Sequence, residues 1–183
     1  ATLKPGDTAG DGIGTLTLNG NATLTGGVGG SITSLQVKGP SYNNTNYLGY
    51  QDPAYGVWLT SIPTDTYSTA LTDPLLPTQH DKVNVQGTLI WSFGSTINVI
   101  DNGYTPTAGD IFNLFDWHTI SGTINVGSSI RTGAPELGTD LNLFELGGEY
   151  RWDTSLFNSH GLLVVVAPGL IPEPSRMMLL MFG

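Results

Sequence analysis

Apolar and polar residues alternate with a period of two through the stretch His80–Phe115. Val83 and Val85 alternate with Lys82, Asn84 and Gln86, and Leu89, Trp91 and Phe93 alternate again after Gly87. That period puts each apolar set on one face of a half-buried strand, with Gly87 and Gly94 read as breaks between strands. Ile97 and Val99 repeat the device. Asp101-Asn102-Gly103 predicts a turn, because Asn and Gly tolerate positive φ. Thr105–Asp110 then carries the chain over to a further strand in Ile111–Phe115, and no helical period fits anywhere in the stretch.

The same reading extends in both directions. Upstream, short strands are expected at Thr15–Leu18, Ala22–Thr25 and Ser31–Val37, the last alternating through Ile32, Leu35 and Val37 with one slip. Downstream, Thr119–Val126, Leu141–Leu146 and Tyr150–Trp152 are expected strands. Leu162–Val166 is an unbroken apolar run, the mark of a strand buried on both faces. A single helical turn is conceivable only at Ser68–Leu71. Short strands with Gly or Asn-Gly corners fit either a parallel β-helix or a sandwich joined by hairpins. Leu18-Asn19-Gly20-Asn21 discriminates between them, being a type I′ hairpin loop in a sandwich and a corner in a solenoid.

Residues 40–79 interrupt the pattern. They hold five of the seven Tyr and no Lys, Arg or His. A structureless stretch of about 40 residues is exceptional in a compact domain, so this insert is expected to be ordered by Tyr42, Tyr47, Tyr50, Tyr55, Trp58 and Tyr67. Two roles stay open for it. It either covers one face of the core, or presents Tyr47, Tyr50, Tyr55 and Trp58 as a binding or subunit-contact surface, where Tyr and Trp are favoured.

At 183 residues the chain is read as one β-rich domain over 1–167, followed by a Pro-containing linker and apolar tail at 168–183. Charged residues make up only 11%, well under the usual quarter. A net charge of −9 with six Lys and Arg disfavours nucleic acid as a partner. No Cys is present, so disulfides and thiolate metal sites are out. The chain opens at Ala1 without an initiator Met, as it would after signal-peptidase cleavage or trimming, and secretion is the inference. Met177–Phe182 is far too short to span a bilayer.

The order of the short motifs is similar to the autotransporter-like repeat domains of secreted bacterial proteins that bear a PEP-CTERM sorting tag. The matching residues are Asp81, Val83, Val85, Gly87 and Leu89; Gly94, Ser95, Ile97 and Val99; and Gly103, Tyr104, Pro106, Gly109, Asp110 and Phe112. Lys4–Asp7 with Gly14–Leu24 resembles the opening of such domains, and Trp152–Ser155 with Gly161–Val165 resembles the closing strands. Pro172-Glu173-Pro174 resembles the tag, which in that family precedes a membrane-length apolar helix and a basic cluster and is read by a membrane protease of the exosortase type. The chain keeps Pro172-Glu173-Pro174 and the start of the apolar run and stops at Gly183, with no basic tail in the sequence. The resemblance implies export and favours a short right-handed parallel β-helix with a Tyr-rich insert, a β-sandwich or jelly roll being the alternative.

Catalytic patterns are weak. His80, His118 and His160 lack metal-ligand spacing and are expected in turns or at the surface. No G-x-S-x-G elbow occurs. The acids that a calcium-dependent polysaccharide lyase would gather are scattered singly, and Arg131, Arg151 and Arg176 are expected in or beside loops. Gly6–Gly12 is read as a plain turn, although its aspartates could hold calcium. Asn21-Ala22-Thr23 and Asn43-Asn44-Thr45 are formal glycosylation acceptors of little weight in a bacterial protein.

The expectation is therefore a non-catalytic structural protein, without cofactor or metal, of the bacterial cell surface or extracellular matrix. A carbohydrate-binding adhesin is second and a polysaccharide-active β-helix enzyme third. Partners are expected to be copies of itself, with extracellular polysaccharide as the adhesin's ligand. Pro168, Pro172 and Pro174 stiffen the final segment. Met177, Met178, Leu179, Leu180, Met181 and Phe182 are expected to pack on a neighbouring copy, a heterologous contact that builds a filament or closes a ring.

Overall fold

The computed structural model describes residues 2–6, 12–26, 30–43, 79–133 and 136–166. Among them the chain is mostly β, with parallel and antiparallel sheets that do not close on themselves and a single one-turn helix. The first sheet contains β1 (Thr2–Leu3), β4 (Ile32–Val37), β7 (Thr96–Asp101) and β11 (Leu141–Asn142), in that spatial order and all parallel. The second contains β2 (Thr15–Leu18), β3 (Ala22–Leu24), β6 (Lys82–Trp91) and β9 (Phe115–Ser121), also parallel. In chain order these strands pass back and forth between the first sheet and the second, β2 and β3 together making one pass through the second.

Register explains why the alternating pattern is so clear. Leu16, Val83 and Phe115 form one cross-strand column, Leu18, Val85 and Trp117 the next, and Ala22, Leu89 and Ile120 a third. In the first sheet Thr33 is paired with Ile97 and Leu35 with Val99, and Leu141 lies on the far side of Ile97. The columns of the second sheet put apolar residues one strand spacing apart, the arrangement in which cross-strand side-chain contacts stabilise a sheet.

The turn at Asn19-Gly20 is not a hairpin. β2 and β3 do not pair with each other, and both lie parallel to β6 on the same side. Gly87 does not end a strand either. β6 runs unbroken through it for ten residues, and the irregularity is a register shift against β9 between Val85 and Thr88. Glycine is required there because a Cβ would stand 2.6 Å from the Gly20 carbonyl carbon and 2.5 Å from Asn21 Oδ1. Asn21 Oδ1 accepts the Thr88 N–H at 2.9 Å, tying the two kinks together.

A third, antiparallel sheet has the order β10 (Ile130–Arg131), β12 (Arg151–Asp153), β13 (Leu162–Val166), β8 (Asp110–Asn113), β5 (Tyr42–Asn43). β13 is its central strand and is buried at every position, as the apolar run predicts. Antiparallel pairing here departs from a solenoid, in which every rung runs one way. The expected strand at 119–126 begins earlier, at Phe115, and that at 141–146 shrinks to two residues. Phe93 leaves the core face altogether and stands 96% exposed, since the chain turns at Phe93-Gly94 before the period would bring it inward. The helix, α1 (Phe157–His160), ends at Gly161, whose φ of 67° is left-handed and whose N–H bonds Phe157 O at 2.8 Å.

One apolar cluster draws on all three sheets. Trp152 sits at its aromatic centre, edge-on to Phe112 at 5.5 Å and to Phe144 at 5.3 Å, its indole N–H donating to the Phe144 carbonyl at 2.9 Å.

Candidate functional site

The sorting motif Pro172, Glu173 and Pro174, the expected contact residues Met177–Phe182, and the expected binding residues Tyr47, Tyr50, Tyr55 and Trp58 lie outside the described residues, as do Ser68–Leu71 and Arg176. The described part of the insert is its base, where the chain leaves along β5 and returns at Gln79.

That base is tied shut by backbone. Lys38 N and Gly39 N both donate to the Gln79 carbonyl, at 2.8 and 2.9 Å. Val37 and His80 form an antiparallel bridge, and Asp81 N donates to Gln36 O at 2.8 Å. Ser41 N donates to Ile111 O at 2.8 Å, fixing the departing strand to the third sheet.

Side chains complete the closure. His80 is 1% exposed and Ser41 5%, so the expectation that His80 lies at the surface is corrected. His80 Nδ1 lies 2.9 Å from the Asp81 carbonyl oxygen, which can only accept, so Nδ1 carries the proton. Nε2 is then an acceptor, and it receives a short hydrogen bond from the Ser41 hydroxyl. Ser41 Oγ in turn accepts the Asn113 N–H at 2.9 Å. Burial, helped by the nearby Lys82 charge and opposed by the bond to Asp81, lowers the His80 pKa to about 4, so the ring is neutral near pH 7.

A Ser hydroxyl donating to a neutral His is the first half of a nucleophilic pair. Here the third member is a main-chain carbonyl. The Asp81 carboxylate is engaged elsewhere, accepting Gly14 N at 2.9 Å through Oδ1 and Gln36 N at 2.8 Å through Oδ2. It therefore ties the approach to β2 and the middle of β4 to the start of β6. The Ser–His pair is closed in rather than open to a cleft, and its chemistry is that of a clamp on the two ends of the insert. Spacing could not reveal it, because Ser41 and His80 are 39 residues apart.

The other polar groups of the repeat-like motifs are likewise absorbed by the backbone. Tyr104 and Asp110 share a short buried hydrogen bond, Asp110 Oδ2 also accepts Thr107 N at 3.0 Å, and Asp101 Oδ1 accepts Tyr104 N at 2.8 Å. Burial and then the bonded carboxylate raise the Tyr104 pKa, keeping the phenol protonated. Lys82 and Asp116 pair across β6 and β9 at 2.5 Å, while burial pushes the Asp116 carboxyl up against the pull of that lysine. Arg131 ends β10 and Arg151 begins the neighbouring β12, so each stands beside a loop, as expected. Arg131 is buried, donating to the Val126 and Leu141 carbonyls at 2.8 and 2.9 Å, and its guanidinium approaches Glu136 at 3.3 Å.

Among the described residues no group of three His, Asp or Glu side chains is placed to hold a metal ion, and no helix is long and apolar enough to cross a membrane. No family profile, curated protein or solved structure matches the chain.

Proposed function

We propose that this chain is an exported, non-catalytic structural protein of the bacterial cell surface or extracellular matrix, and that copies associate head to tail through the apolar C-terminal tail. In this reading the alternating strands are rungs of a short right-handed parallel β-helix, and the antiparallel third sheet closes one side of it. The observation that carries the reading is the set of parallel columns, Leu16–Val83–Phe115 and its neighbours, which give the molecule a repeated cross-section. The buried Asp81, Asp110 and His80 support it too, since each hydrogen-bonds the backbone that joins these strands.

The test is assembly. Purified chain at rising concentration should show growing species by sedimentation and filaments by negative-stain microscopy, and deletion of residues 175–183 should leave folded monomer. A chain that stays monomeric throughout, or a truncated one that assembles as before, overturns the respective half of the proposal.

A further inference from the structure

Lys82 and Asp116 are placed for more than an ion pair. Lys82 opens β6 and Asp116 is the second residue of β9, its parallel neighbour in the second sheet. Their side chains are 13% and 7% exposed, and Lys82 Nζ lies 2.5 Å from Asp116 Oδ2. The carboxyl carbon is one C–O bond further, so the nitrogen stands within about 3.8 Å of it. That is close to the near-attack separation of about 3–3.5 Å for reacting atoms, and two hydrogen-bonded strands hold it there.

We infer that Lys82 and Asp116 join as an intramolecular amide, a covalent cross-link between β6 and β9. The reaction needs no co-reactant. Within the pair the ammonium passes one proton to the carboxylate, leaving an amine beside a carboxylic acid. The Nζ lone pair attacks Cγ and the C–N bond forms; the C–O bond to the protonated oxygen breaks, that oxygen takes a second proton from nitrogen, and water leaves. One N–H stays on the product amide. Nothing is oxidised or reduced.

The surroundings suit each stage. Taking a charged pair out of water is costly, so burial favours the amine and the acid from which the attack starts. Burial raises the Asp116 pKa in that sense, opposed by Lys82 and then by a side-chain hydrogen bond from Asn113. Asn113 is 2% exposed. A fixed donor on the carboxyl stabilises the negative oxygen of the tetrahedral intermediate. The side-chain oxygens of Asn113 and of Asn84, the register mate of Asp116, are buried and have no hydrogen-bond partner among the described residues. An ionised carboxylate only accepts and gives such oxygens nothing, whereas a carboxylic acid and a departing water both donate.

β7 of the first sheet and β8 of the third lie between the two residues in the chain, so the bond closes a loop that passes through all three sheets. With no cysteine, no disulfide can do this. The inference holds whether or not copies of the chain associate.

Intact mass tests it. Folded wild-type chain, held until its mass is constant, is expected lighter than its sequence by one water. After denaturation trypsin should cut beyond Lys38 and Arg131 but not beyond Lys82, and fragment spectra should place the loss on residues 82 and 116. Lys82→Arg keeps a cation opposite Asp116 and a tryptic site but lacks the primary amine, so it is expected at full mass and cut at position 82. Asp11-Gly12 can also lose a water, by cyclising to a succinimide. A loss that persists in Lys82→Arg, or that hydroxylamine abolishes, belongs to that route and overturns the inference. Wild-type chain at full mass, cleaved after Lys82, overturns it outright.

Discussion

The Ser41–His80 clamp predicts a specific dependence of stability on pH. Folding buries the His80 ring as the neutral form and lowers its pKa from 6.5 to about 4. Above pH 6.5 the ring is neutral in both folded and unfolded chains and the clamp contributes in full. As pH falls below 6.5 the unfolded chain takes up a proton that the folded one refuses, and stability declines by about 1.4 kcal/mol per pH unit. The loss levels off near pH 4, where the folded ring also titrates, at a total of about 3 kcal/mol.

Other groups whose pKa shifts on folding add their own pH dependence. His160, lowered by burial, acts in the same direction, and Asp116, raised by burial, acts in the opposite one. The His80 contribution is therefore isolated by difference. Urea denaturation of wild type and His80→Gln at pH 7.5, 6.0, 5.0 and 4.5 should show the wild-type advantage shrinking by about 1.4 kcal/mol per unit below pH 6.5. An advantage that stays constant across the series refutes the reasoning, because the ring would then titrate alike in both states.

Val164→Asp places an unpaired carboxylate on the central, fully buried strand β13 and should cost more than about 4 kcal/mol, read as loss of soluble protein or of the thermal transition. Asp81→Ala removes the acceptor for the Gly14 and Gln36 N–H groups and should cost roughly 3 kcal/mol in chemical denaturation, with Asp81→Asn recovering about half because one acceptor remains. Replacing residues 44–78 by a short Gly-Ser linker should preserve the far-UV β spectrum, since the ends at Val37 and His80 are already bridged and loop length alone costs little; an unfolded product would assign the insert's aromatics to the core.

What was readable in advance follows from which forces leave a periodic trace. Val83, Val85, Leu89, Trp91, Ile97 and Val99 face the core, and the alternation identifies all six, because a strand with one wet face must alternate. Phe93 misleads because periodicity does not state where a strand stops. Leu162–Val166 is recognisable as a buried strand, but a run without alternation carries no information about direction, so the antiparallel third sheet is invisible. α1 is too short to show a 3.6-residue period. The clamp leaves no sequence signal of this kind, because a His between a polar residue and Asp81 reads as surface; only the fold shows that Ser41 lies against it. A His beside the D-x-V-x-V motif, at the return of a long insert, is the trace that could have pointed there.

The kink of β6 also sets an order of events during folding. Thr88 is tied by its N–H to Asn21, 67 residues earlier, and by its hydroxyl to Thr119, 31 residues later. Doubling a loop adds only about 0.6 kcal/mol of closure entropy. The longer closure, however, is rewarded by a strand whose leucines stay partly exposed, whereas the shorter one buries Phe115 and Trp117 fully. Pairing of β6 with β9 is thus the favoured early event, with β2 and β3 joining last across the span that contains the insert. Read in reverse, amide hydrogens of residues 15–24 exchange first with solvent, and the amino-terminal rung opens while the rest of the molecule holds.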